Sequence, residues 1–176
     1  MALVKKKNIK TASVVPRKQR LPPETFELVQ RSVPIICVDL VVLRKVVQQG
    51  YEALLIKRKI YPERGTWCLI GGRVLKNETI LGAIRRQALR ELGVRVKILP
   101  PWSSSRPILV SEALRADPQK HYVSLLYPVV ITGGTIRDDG PEFDAVQWCT
   151  EKTIPRTMGF IHKKQLLCAF KGLGRV

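Results

Sequence analysis

Gly71-Gly72, Glu78, Arg86 and Glu91 are the residues whose types and spacing could do chemistry in this sequence. Five residues separate Gly72 from Glu78, and seven more lead to Arg86-Gln-Ala-Leu-Arg-Glu-Leu-Gly-Val94. A Gly-Gly turn lets backbone approach an anion closely, because no Cβ intervenes. A carboxylate at Glu78 suits the opening of a helix, where the dipole is positive. Glu91, near the helix end on its polar side, can bind a hard cation through oxygen. The natural occupant of such a turn and helix is a diphosphate bridged to a magnesium ion.

The elements that must hold these residues are legible around them. Val33 to Leu43 is β-rich and mostly apolar, which predicts a buried strand. Gln48 to Tyr51 turns the chain and Ala53 to Ile56 returns it as a hairpin. Thr66 to Ile70 predicts a short strand ending at Gly71-Gly72. Over residues 78–92 the period becomes helical: Leu81, Ile84, Ala88 and Leu92 share a stripe, with Arg85, Arg86 and Arg90 off it. Gly93 caps that helix. Residues 94–99, 122–131 and 145–148 predict further strands, and the Pro- and Ser-rich segment between the first two reads as loop. Residues 160–171 predict a closing helix stopped by Gly172. Strands and helices do not alternate regularly, so the fold class is a mixed α/β (α+β) sheet sandwiched between helices.

Composition bounds the partners. Thirty-one Lys+Arg against 14 Asp+Glu give +17, so anions are the expected company. Seven of those cations and no acid lie in residues 1–20, a basic arm expected to be flexible and available to polyanions. Residues 21–176 form the expected domain. No apolar run approaches the roughly 18 residues of a membrane span, and no secretory leader is evident. Cys37, Cys68, Cys149 and Cys168 are too widely spaced for a metal knuckle and read as small core residues in a reduced, cytoplasmic protein. Trp67, Trp102 and Trp148 read as packing anchors, and His162 as an ordinary helix residue. Asp39 is different: a carboxylate inside an apolar strand costs several kcal/mol (~2–7) unless it is paired.

The stretch from Gly72 resembles the Nudix hydrolase box, Gly-x5-Glu-x7-Arg-Glu-U-x-Glu-Glu-x-Gly-U with U aliphatic. Gly72, Glu78, Arg86, Ala88, Glu91, Gly93 and Val94 fit it, while Gln87 and Arg90 stand where two metal-binding glutamates are usual. Among its branches the sequence is most similar to GDP-mannose mannosyl hydrolases. Arg31 to Asp39, Leu55 to Arg58, Pro62, Gly65, Trp67, Gly71 to Arg73, His121 to Val123 and Trp148 carry that likeness.

The resemblance implies a Nudix-type fold over residues 25–170 and a Mg²⁺-dependent (or Mn²⁺-dependent) hydrolase of a nucleoside diphosphate sugar. Glu91, the Gly71 carbonyl and Glu142 would hold the metal. Arg58 and Arg73 would grip the diphosphate, with Tyr122 beside the substrate. Arg86 would pair with Glu78. The family dimerises through its N-terminal strand, so a homodimer built on Thr25 to Asp39 is expected, with Asp39 reaching the partner's site. The family's base is a histidine at the position of Phe143, so either Glu142, Asp144 or His121 serves, or the reaction differs, or catalysis is lost; with the family chemistry otherwise intact, Phe143→His is expected to raise sugar release. Pro141-Glu-Phe-Asp144 also resembles Nudix pyrophosphatases, which attack phosphorus. A third reading is a Nudix-fold module that holds RNA or another polyanion through the arm.

Overall fold

The computed structural model describes residues 21–48, 50–114 and 120–174; the basic arm of residues 1–20 lies outside them. Its centre is the apolar strand expected from the sequence. β1 (Ile35–Val46) is buried along most of its length, because it has neighbours on both edges and both faces. It runs parallel to β7 (Tyr122–Gly134) on one side. On the other it pairs antiparallel with β4 (Ile70–Arg73) through Cys37 to Leu40, then with β2 (Gly50–Arg58) as a hairpin. A strand covered on both faces reads as a nearly continuous hydrophobic run, which is how this one reads.

β3 (Trp67–Cys68) and β8 (Phe143–Cys149) extend the sheet beyond β2, and β5 (Val94–Ile98) and β6 (Leu109–Ala113) pair with β7. The result is one eight-stranded mixed sheet. Side-chain parity divides its two faces. Val38, Leu40, Val42, Leu54 and Ile56 pack with Ala83, Ile84, Ala88 and Leu92 of α2 (Ile80–Leu92). Val41, Leu43, Ala53 and Leu55 pack with Leu166, Ala169, Phe170 and Leu173 of α3 (His162–Leu173). Among the described residues, no helix is long and apolar enough to cross a membrane.

Several expectations are corrected. Pro23–Ser32 is a helix, α1, where the dimer expectation assumed strand from Thr25. Its signals are local: proline in the first turn, Glu24 at the positive end and Arg31 at the other. Cys37 to Leu40 of β1 is hydrogen-bonded on both edges within its own chain, to β4 and to β7, and Asp39 lines the cavity of its own chain. The segment read as loop contains β6, which the i-e-i-e alternation of Leu109 to Glu112 marks as an edge strand. The expected strand at residues 66–70 is divided into β3 and β4. α3 continues through Gly172 to Leu173, where Gly172 admits the Ile108 side chain.

Candidate active site

α2 starts two residues after Glu78, with Thr79 as N-cap: its hydroxyl accepts from the Gly82 N–H at 3.0 Å. This leaves Glu78 in the turn before the helix, where Arg86 grips it with a two-pronged fork, Nε to Oε1 at 2.7 Å and Nη2 to Oε2 at 2.8 Å. The same Nη2 donates to the Arg73 carbonyl at 2.9 Å, and the Leu75 N–H donates to Glu78 at 3.0 Å. Burial would raise the Glu78 pKa, but the Arg86 fork and that N–H outweigh it and hold the carboxyl below its ordinary value. The expected Glu78–Arg86 pair therefore clips the end of β4 and the turn after it to the helix.

Gly71 and Gly72, expected as a turn, lie instead within β4, opposite Asp39 and Val38 of β1, and both approach their neighbours closely. A Cβ on Gly71 would collide with Asp39 Oδ1 and the Val38 carbonyl. Gly72 has φ +155°, and a Cβ there would collide with the Gln87 amide. Beside these two strand residues a cavity of about 540 Å³ opens. Arg58, Arg73, Gly71, Glu91, Glu142, Asp39 and Tyr122, all expected from the sequence, line it.

The carboxylates are arranged with their own cations. Glu91 is buried, and its Oε1 accepts from Arg90 through Nε, at 2.8 Å, and through Nη2. Arg90 Nη2 also donates to Glu142 Oε1 at 2.8 Å, and Arg58 Nη1 to Glu142 Oε2 at 3.3 Å. Burial pushes the Glu91 pKa up, with Glu142 adding to the rise and the Arg90 guanidinium partly offsetting it. Arg58 is further fixed by its Nε donating to the Pro62 carbonyl at 2.9 Å. The Arg73 guanidinium lies 3.7 Å over the Phe26 ring of α1.

Asp39 answers the question its burial posed. Its Oδ2 accepts from the Ser124 hydroxyl, and from Gln165 Nε2 at 3.3 Å. His162 Nε2 lies 3.8 Å from the same oxygen. His162 Nδ1 accepts the Leu69 N–H at 3.1 Å, so the neutral ring carries its proton on Nε2, toward Asp39. Burial lowers the His162 pKa, with Asp39 opposing, so the ring is neutral at pH 7. His162 lines the cavity, although its sequence context marks it only as a helix residue; its signal would have been the odd-numbered parity of Asp39, which faces α3. Arg90, at a position where the box usually has a metal-binding glutamate, also lines the cavity, and Lys120, Phe26 and Phe160 are further lining residues not anticipated as site members.

Some expectations are not met by the geometry. His121 is not among the lining residues, although Tyr122 beside it is; its backbone carbonyl is used by Ile35. Asp144 is exposed and outside the cavity. Phe143 is fully buried in the core under α2, because the alternation along β8 turns it away from the cavity that Glu142 faces. Glu142, expected as a metal ligand, has both oxygens engaged by Arg90 and Arg58.

Comparison with known proteins accords with this architecture. Residues 37–170 match the family model described as the NUDIX domain, and the chain belongs to the Nudix family of hydrolases. It is 33% identical over 125 residues to the low-salt glycan biosynthesis protein Agl8 of Haloferax volcanii, covering 71% of this chain and 74% of that one. It is 28% identical over 133 residues to an ADP-ribose pyrophosphatase of Methanocaldococcus jannaschii, covering 74% and 70%. A solved MutT/nudix family protein from Enterococcus faecalis shares the fold, with a TM-score of 0.65 at 22% identity over 90% of this chain and 71% of that one.

Proposed function

We propose that this chain hydrolyses a nucleoside diphosphate sugar resembling GDP-mannose, releasing free sugar and the nucleoside diphosphate. The observation that carries the proposal is the shared cavity of Arg58, Arg73 and Glu91, which Gly71 and Gly72 of β4 also line. Guanidinium forks match phosphate oxygens in pairs. A cavity of about 540 Å³ suits a ligand of that class. The Haloferax volcanii relative is named for glycan biosynthesis, which supports a sugar-bearing substrate.

Nudix hydrolases generally use divalent metals, and this donor set fits one ion. Glu91 Oε2 is buried without a hydrogen-bond partner, the kind of orphaned anionic oxygen a cation satisfies. Glu91 Oε2 and the Gly71 carbonyl would hold Mg²⁺ or Mn²⁺, which when bound neutralises charge on the departing diphosphate. The chain's own residues do the rest. Arg58 and Arg73 bind the diphosphate, and the Arg86 fork on Glu78 and the Arg73 carbonyl fixes the turn that presents them. Asp39, steadied by Ser124, Gln165 and His162, takes the proton of the attacking water. The water oxygen bonds to the anomeric carbon, the carbon–oxygen bond to the phosphate breaks, and its electron pair leaves with the diphosphate.

A second reading, attack at phosphorus, is favoured by the Methanocaldococcus jannaschii pyrophosphatase relative. Hydrolysis of GDP-mannose and of ADP-ribose in ¹⁸O-water with Mg²⁺ separates the two. Label in the free sugar supports attack at carbon; label in a nucleoside monophosphate or sugar phosphate supports the pyrophosphatase. Asp39→Asn should lower sugar release by about 10²–10⁴-fold; an unaffected rate removes Asp39 from the reaction. The homodimer is kept as part of the proposal, through Leu28, Val33 and Ile36, which are exposed apolar side chains of the expected segment.

A further inference from the structure

Arg90 sits in the last turn of α2, and its guanidinium touches two carboxylates from different parts of the chain. Glu91 Oε1 accepts from its Nε at 2.8 Å and from its Nη2, and Glu142 Oε1 accepts from the same Nη2 at 2.8 Å. Arg58 closes the other side of Glu142 at 3.3 Å. Two carboxylates this close repel, and the burial of Glu91 sharpens the repulsion. The usual remedy for such a pair is a cation bridging both through oxygen. Here the remedy is covalently part of the chain: two guanidinium charges face two carboxylate charges, and the oxygens that a bridging ion would use are taken. One turn earlier, Gln87 is buried at the same face with a neutral amide packed on Gly72, so it adds no charge to attract an ion.

We propose that Arg90 is a resident cation, standing where a second divalent ion would bridge Glu91 and Glu142, and that it limits the site to one metal ion. The proposal rests on the reading of this cavity as a diphosphate site and adds how its charge is supplied. A fixed guanidinium does not dissociate, so part of the positive field is independent of metal concentration. Glu91 Oε2, buried and without a hydrogen-bond partner, remains for the single ion. Arg58, fixed through Pro62, serves both the carboxylate cluster and the cavity.

The test counts Mn²⁺ bound to the full chain by the loss of the free-ion electron paramagnetic resonance signal, with and without GDP. The wild type should bind at most one Mn²⁺ with GDP present. Arg90→Glu should bind a second ion, and should bind Mn²⁺ without GDP roughly tenfold or more tightly than the wild type, since affinity follows ligand charge count. Arg90→Gln, which removes the cation and adds no ligand, should also tighten nucleotide-free binding, and it decides the matter if Arg90→Glu does not fold. Two ions on the wild type, or no tightening in Arg90→Gln, overturns the proposal. Failure of the hydrolase reading would look different: no turnover of any nucleotide sugar, with these metal counts unchanged.

Discussion

Replacing Phe143 with histidine would introduce the base expected from the resemblance to mannosyl hydrolases, yet the structure predicts loss. Phe143 has 0% exposure and belongs to the core cluster under α2. Its ring fills the space that a Cβ on Gly140 would occupy, and its backbone pairs with Arg58. An imidazole there buries a ring nitrogen with no partner, about 1–3 kcal/mol. The smaller ring also buries less apolar surface, which costs about 1–2 kcal/mol more. Together these come to roughly 2–5 kcal/mol, which in a domain of this size lowers the melting temperature by roughly 4–20 °C. Phe143→Ala sets the upper reference at about 3–5 kcal/mol, and Phe143→Leu should lie below it. Urea and thermal unfolding, followed alongside sugar release from GDP-mannose, measure both quantities. A histidine variant as stable as the wild type and faster at releasing sugar would refute the placement of Phe143 in the core.

Other outcomes follow from the same geometry. Arg73→Lys keeps the charge but loses the fork and the flat contact with Phe26, so turnover should fall about tenfold or more with folding intact; unchanged kinetics would remove Arg73 from the diphosphate site. His162 has a folded pKa below 6.5, so as pH falls through 6.5 the unfolded chain takes up the proton first and stability declines. Above that value the contribution is fully present. His162→Asn, whose carbonyl can still accept the Leu69 N–H, should show a flatter urea midpoint between about pH 5 and 7, and an unchanged slope would contradict the assignment. Light scattering of the wild type and of Ile36→Asp tests the homodimer: a monomeric wild type rejects it, and a dimer indifferent to Ile36→Asp moves it elsewhere.

Much of the site was legible because its signals are local. The Glu78–Arg86 pair and the αL cap at Gly93 depend on residues close in sequence, whereas Gly71-Gly72, read as a turn, is held in β4 by its pairing with β1. Arg58, Arg73 and Glu91 were found through spacing matched to a family, and the fold carried them to one cavity. The β1–β2 hairpin followed from its turn, and the buried character of β1 from its apolar run.

What only the tertiary structure decided concerns pairs distant in sequence. Helical periodicity assigned Glu91 to the polar side of α2, but the buried stripe runs through Ala83, Ile84, Gln87, Ala88, Glu91 and Leu92, because this face of α2 borders both the core and the cavity. Arg90 meets Glu142 across 52 residues, and no spacing within the helix announces that contact. Asp39, Ser124 and Gln165 come from β1, β7 and α3, so their hydrogen bonds exist only once the parallel β1–β7 register is set. His162 looked ordinary in sequence because its two partners, Leu69 and Asp39, are 93 residues or more away. Local chemistry specifies the parts and their turns, whereas strand order and side-chain parity across the sheet decide which charges meet.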